Sequence, residues 1–186
     1  MADVLRRLAK NATGDFFVDE TCINCGACRN FAPKSFSEAG SYSYVSHQPQ
    51  TNEDLTSAIQ AVLACPVGAI GAGSQKISKD ILDSFPIKIT NDIYINGFNS
   101  EKSYGADSYF IRSAKGNWLV DSPRFTPLLA SKFEEMGGLK YIFLSHRDDV
   151  ADAEQYAKKF HAQRIIHKAD VSAQPRIGGS ICPAYS

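Results

Sequence analysis

The residues with the most chemistry to offer are Cys22, Cys25 and Cys28, set in the run Cys-Ile-Asn-Cys-Gly-Ala-Cys, and Cys65, which is followed directly by Pro66. Three thiolates so closely spaced cannot all pair off within one short loop. They can wrap one side of a small inorganic cube while a remote thiolate closes the opposite corner, which is the ligand spacing of an iron–sulfur cluster. Gly26 and Ala27 are small, so the backbone can approach such a cube and donate N–H groups to its sulfur. A zinc site ordinarily uses two C-x2-C pairs, or cysteine with histidine. This chain has one triple, one single and no well-placed histidine. A disulfide framework suits a small secreted chain, but the five cysteines are an odd count and residues 1–10 are too short and polar for a secretory core.

The elements around these thiols follow from local pattern. Asp15 to Asp19 reads as a short strand feeding the cysteine loop, with Phe16 and Phe17 as core aromatics able to shield it. Arg29 to Phe36 reads as a short helix interrupted by Pro33. Ser41 to Val45 alternates as a strand does. Asn52 is a helix cap with acids behind it, and Leu55, Ile59, Val62 and Leu63 form the apolar stripe of a helix that Cys65-Pro66 ends. Val67 to Ile70 is the closing strand.

In two-cluster bacterial ferredoxins the triple continues to a fourth Cys-Pro whose thiol serves the other cluster. Here that position is Ala32, before Pro33, and the positions expected to precede Cys65 hold Ala61, Ala58 and Leu55. These losses delete one cluster and leave the other complete. Residues 14–72 therefore resemble a single-cluster bacterial-type ferredoxin. The resemblance implies two βα halves and one 4Fe–4S cluster on Cys22, Cys25, Cys28 and Cys65.

Beyond a linker at 73–85 the pattern changes. Ile87-Lys88-Ile89 and Ile93-Tyr94-Ile95 predict a hairpin around Asn91-Asp92, and Tyr109 to Ile111 with Trp118 to Val120 predict another. Thr126 caps a helix with Pro127 at its first position, and Gly137-Gly138 stops it. Tyr141 to Leu144 is a continuous apolar run, the pattern of a strand buried on both faces. A helix over about Val150 to His161 and a strand from Arg164 to His167 follow, with His161 and His167 as surface or core-edge residues. The stretch Ser145-His146-Arg147-Asp148-Asp149-Val150-Ala151-Asp152-Ala153 stands at the carboxyl end of the apolar strand, where α/β sheets place their sites.

With this strand order, residues 86–170 resemble the N-terminal half of the metallo-β-lactamase fold. That family's metal motif is His-x-His-x-Asp-His. His146 matches its first histidine, Asp148 stands for the second, Asp149 or Asp152 for the aspartate, and Ala153 for the last histidine. The resemblance implies a hydrolase site that has lost ligands, with His146, Asp148 and Asp152 as the residual set, so a second metal, zinc or iron, is not expected. The acids are read instead as caps of the next helix. A half sandwich leaves a sheet edge and an apolar face to be covered, by a second copy in a homodimer, by the rest of a longer protein of which this chain is a fragment, or by the C-terminal segment folding back. Residues 171–186 read as a Gly/Pro-rich arm, with Cys182 a free thiol.

The expected architecture is α+β: a lead-in at 1–13, a ferredoxin-like βαβ cluster domain, a linker, a partial α/β domain and an arm. With 44% hydrophobic and 22% charged residues and a formal net charge of zero, the composition is that of an ordinary globular protein. It offers no basic run for nucleic acid and no apolar run of membrane-spanning length. The expected function is electron transfer to a redox partner protein, in the cytoplasm or an organelle stroma, where thiols stay reduced. The alternatives are a cluster-fed metallohydrolase or oxidoreductase, and an assembly module stapled by its cluster.

Overall fold

The computed structural model describes residues 2–173. Most of the expected C-terminal arm, Cys182 included, lies outside the described residues. The chain forms two units: one runs up to Ser84 and takes in Phe98–Ala106, and the other consists of Phe85–Gly97 and the chain from Asp107 onward. Phe98–Ala106, placed by sequence pattern in the second domain, thus belongs with the first.

In the first unit, strand β1 (Phe16–Val18) pairs antiparallel with β4 (Ile70–Ala72), setting Phe17 opposite Gly71. A Cβ on Gly71 would lie 2.2 Å from the Phe17 ring, so the glycine makes room for that aromatic. Helix α1 (Ala27–Phe31) stops before Pro33, and β2 (Phe36–Glu38) pairs with β3 (Ser43–Val45). The expected helix to Phe36 is therefore cut short. The amides of Ser35 and Phe36 both turn back to the Ala32 carbonyl, and Phe36 opens a strand opposite Val45.

Helix α2 (Asn52–Ala64) is capped by Thr51, not Asn52. The Thr51 hydroxyl accepts from the Asp54 amide at 3.1 Å, with Glu53 and Asp54 in the positively polarised first turn. It packs on α1. Ala32, Ala58 and Ala61, the places of the missing cysteines, all lie in one buried cluster with Phe16, Val18, Phe36, Val45 and Ile59. Where a second cluster would sit there is buried apolar core.

The expected linker contains helix α3 (Lys79–Asp83), capped by the Ser78 hydroxyl. The lead-in is held by one residue. Asn11 Oδ1 accepts the Val18 and Val45 amides at 3.1 and 2.9 Å, while its Nδ2 donates to the Leu8 and Val18 carbonyls at 2.7 and 2.8 Å. One side chain thereby uses all of its hydrogen-bonding capacity to tie the N-terminal segment to β1 and β3.

The second unit is a six-stranded sheet in the order β10-β9-β8-β7-β6-β5. Strands β5 (Ile87–Lys88), β6 (Ile93–Ile95), β7 (Tyr109–Ile111) and β8 (Trp118–Val120) run antiparallel in sequence; β9 (Tyr141–Leu144) and β10 (Gln163–Ile166) extend β8 in parallel. Helix α4 (Pro127–Glu135), capped by Thr126, lies between β8 and β9, and α5 (Ala153–Phe160) between β9 and β10. The α4 helix ends as its glycines dictate: both have positive φ, and their amides return to Glu134 and Phe133. Phe133 stacks on Phe110 at 5.1 Å and meets Tyr156 at 5.6 Å, so both helices cover the face that carries Phe110, Leu119 and Ile142, all fully buried.

The opposite face is not covered to the same degree, which corrects the expectation for β9. Its burial alternates: Ile142 and Leu144 are buried, Tyr141 is half-buried and Phe143 is 39% exposed. The register sets Phe143 beside Val120 and Ile165, and Tyr141 beside Trp118, whose ring it meets at 4.4 Å. The apolar run reflects two apolar faces, only one of which lies beneath helices.

Candidate metal centre

The four cysteines of unit one converge on a single cleft. Cys22, Cys25, Cys28 and Cys65 line about 310 Å³ of space, counting its open mouth, together with Val18, Ile23, Ala27, Ser43, Val67, Ala69 and Ile70. Apart from Ser43 and the thiols, the lining side chains are aliphatic. Cys28 and Cys65 are buried; Cys22 and Cys25 are half-buried. Phe16 and Phe17 do not line this space; β1 presents Val18 to it.

Local backbone geometry explains how one short loop presents three thiols. Cys22 follows β1 through a turn in which its amide donates to the Asp19 carbonyl at 3.2 Å. Asn24 and Gly26 have φ of 55° and 85°, so the loop reverses twice before α1 carries Cys28 inward. Such values suit asparagine and glycine and few other residues. Asn24 is braced from three sides: its Nδ2 donates to the Gly40 carbonyl and to Glu38, and its Oδ1 accepts from Arg29 at 2.8 Å. Arg29 also donates to the Ser43 hydroxyl.

Backbone amides aim at the sulfur atoms. Asn24 and Ser43 each donate to Cys22 Sγ at 3.4 Å, and Ala69 donates to Cys65 Sγ at 3.3 Å. The Val67 and Gly68 amides also favour the Cys65 thiolate. This is why β4 begins at Ile70 rather than at Val67: residues 67–69 curl around a sulfur, with Gly68 at φ 65°, before strand pairing starts.

Burial pushes the Cys28 thiol up to about 11, a hydrogen bond with Ser43 opposes it, and the nearby Cys22, Cys25 and Cys65 charges raise it further. Burial likewise raises Cys65, against its three backbone amides. Four thiolates crowded into an aliphatic cleft are costly without positive charge among them. A polycationic iron–sulfur core supplies that charge, and the amides then stabilise its sulfur ligands. Among the described residues no three of His, Cys, Asp and Glu converge on one point as a mononuclear ion requires. The four thiols line one cleft, three from a single loop and one remote in sequence, which is the ligand pattern of a cube.

Residues 18–72 match the family described as the 4Fe-4S single cluster domain of Ferredoxin I. This stretch is a single-cluster 4Fe–4S ferredoxin domain. The residues present fit the group, with four thiols, sulfur-directed amides and an apolar lining in one place. Comparison with curated proteins finds no match. Among solved structures, the chain is similar to three metallo-β-lactamases. One, from Legionella gormanii, has 23% identity and a TM-score of 0.37, with 47% of this chain and 35% of that one covered. A second, from Elizabethkingia meningoseptica, has 19% identity and a TM-score of 0.38, with 53% and 38% covered. The third, a subclass B3 enzyme of Bradyrhizobium japonicum, has 18% identity and a TM-score of 0.36, with 46% and 34% covered. This chain therefore spans little more than a third of the length of these enzymes. None of these TM-scores reaches 0.5.

The second candidate set is arranged differently. His146 Nδ1 lies 3.6 Å from Asp148 Oδ2 but already accepts the Asp148 amide at 3.2 Å, and both side chains are more than half exposed. Asp152 is buried, and its Oδ2 accepts the Phe125 amide at 2.9 Å. It stands at the N-cap of α5 without capping it through its side chain, so the expected helix-capping role is not the one observed. The acid missed by sequence reading is Asp121, at the end of β8. Its carboxylate accepts the Ser145 amide and hydroxyl, both at 2.7 Å, and pins the loop after β9. Burial raises Asp149, with Asp121 and Asp148 adding to the shift and His146 opposing it. Only the asparagine-like φ of 55° at Asp121 marks the position as special, and backbone angles are not legible in sequence. Among the described residues no helix is long and apolar enough to cross a membrane.

Proposed function

We propose that this protein is a one-electron carrier whose single 4Fe–4S cluster is held by Cys22, Cys25, Cys28 and Cys65. The observation that carries the reading is the convergence of these four thiols on one aliphatic cleft, with backbone amides directed at Cys22 and Cys65. When bound, the cluster supplies a site that gains one electron from a reductant and loses it to an acceptor, with no bond made or broken in either partner. The protein's own work is positioning and solvation. Val18, Ile23, Ala27, Val67 and Ile70 keep water from the sulfurs. The amides of Asn24, Ser43 and Ala69 stabilise negative charge on the ligands and so ease the uptake of an electron. The half-buried Cys22 marks the side nearest solvent, where an electron can leave.

The second unit serves in this reading as the docking element for the redox partner. What supports it is the apolar sheet face bearing Ile93, Trp118, Val120 and Phe143, which the two helices do not cover. A homodimer through that face is the other outcome, decided by mass in solution. Anaerobic purification with iron and acid-labile sulfide quantitation tests the carrier itself. Four irons and four sulfides per chain, with a one-electron paramagnetic signal after dithionite, are expected. The Cys65→Ser variant is expected to lose that stoichiometry. Colourless protein without labile sulfide overturns the proposal.

A further inference from the structure

Resting on the cluster assignment above, we propose that Gly105, in the segment Phe98–Ala106, is a positioning residue that seals the cluster on its Cys25 side and thereby lowers its midpoint potential. The segment lies more than twenty residues beyond the ferredoxin match, yet it belongs to the same unit. Gly105 is buried with φ +82°, a conformation that L side chains rarely adopt. A Cβ there would stand 2.6 Å from Cys25 Cβ, 2.9 Å from Cys25 Sγ and 2.9 Å from Pro66 Cγ. None of these neighbours is the free end of a flexible chain. Two belong to a cluster thiol, and the third to the proline that follows another. Only a glycine allows the backbone to come this close.

The segment is built to stay there. A 3-10 turn, Glu101–Ser103, begins at Ser100, whose hydroxyl accepts the Lys102 amide. The Gly105 amide donates to the Ser100 carbonyl at 2.9 Å, and the buried Asn99 Nδ2 donates to the Gly105 carbonyl at 2.8 Å. Phe98, Asn99, Ser100 and Ser103 are all buried, while Tyr104 at the tip is 75% exposed. Because Gly105 spends its amide on Ser100, what it contributes to Cys25 is exclusion of water. Reduction adds negative charge to the cluster, and water stabilises that charge, so excluding water makes the cluster harder to reduce.

The test compares the full-length holoprotein with Gly105→Ala, Asn99→Ala and a control, Gly116→Ala. Gly116 also has positive φ, and its added Cβ would strike the Lys140 side chain, but it lies in the second unit. Both Gly105→Ala and Asn99→Ala are expected to raise the midpoint potential and to speed bleaching by a ferrous chelator several-fold. Gly116→Ala should leave both unchanged. Should Gly105→Ala not assemble a cluster, Asn99→Ala decides. Wild-type potential and bleaching rate in the variants that assemble overturn this inference while leaving the carrier intact. Equal shifts in Gly116→Ala also overturn it, by showing general loosening. Absence of labile sulfide from the wild type removes the carrier reading instead.

Discussion

Asp19 is expected to be the acid on which the cysteine loop depends, and its removal should show a definite pH signature. The side chain is buried beside the turn that leads to Cys22. Its Oδ2 accepts the Asp3 amide at 2.8 Å, and its Oδ1 accepts the amide of Thr21 at 2.9 Å and also the Thr21 hydroxyl. Burial by itself would raise this carboxyl, but the Thr21 hydroxyl, the two amides and the Arg6 charge outweigh it and hold the group below the ordinary carboxylate range. Replacement by Asn keeps the shape, removes the charge and turns one acceptor into a donor. One donor loses its acceptor and the other two lose the extra strength of a bond to a charged group, about 1 kcal/mol each with Asp3 and Thr21 exposed enough for water to replace part of the loss, which gives about 3 kcal/mol. That corresponds to roughly a hundredfold in the local opening equilibrium. The readout is hydrogen exchange of the β1–β4 amides in the full chain, wild type against Asp19→Asn. A carboxyl depressed in the folded state contributes fully above its unfolded value, near 3.8, and that contribution is lost as pH falls through the lower, folded value. The difference between the proteins should therefore be flat from about pH 5 to 8 and shrink below pH 4. Equal protection at pH 7, or a difference that persists unchanged into strong acid, would refute the reasoning.

Two further outcomes follow from packing. Asn11→Ala strips four hydrogen bonds from β1, β3 and the N-terminal segment and should destabilise the first unit by about 2–4 kcal/mol, with faster cluster loss on urea titration. Phe133→Ala removes the ring that stacks on Phe110 and should cost the second unit about 3–5 kcal/mol, read by fluorescence of Trp118. It should leave the iron and sulfide content unchanged, and a loss of labile sulfide would mean that the thiols depend on the second unit's core.

What could be read from the chain and what could not divide along a physical line. The cysteine spacing, the two hairpins and the Thr126-Pro127 start of α4 were legible because each is a local rule, fixed by ligand reach, strand alternation or capping. Alanines at 32, 58 and 61 marked the loss of a second cluster, but their conversion into helix-packing core emerged only when α1 and α2 were seen together. The late start of β4 was hidden for a related reason. Its apolar residues predict a strand from Val67, while the need of a buried sulfur for backbone donors keeps 67–69 out of the ladder. Gly105 was the least legible of all. A glycine in a polar loop reads as a turn, and nothing in its neighbours' identities says that Cys25, eighty residues earlier, lies within 3 Å of where a side chain would begin. Contacts of such long sequence separation are set by tertiary packing, not by local preference. The same packing brought a stretch between two strands up against Cys25 and Pro66.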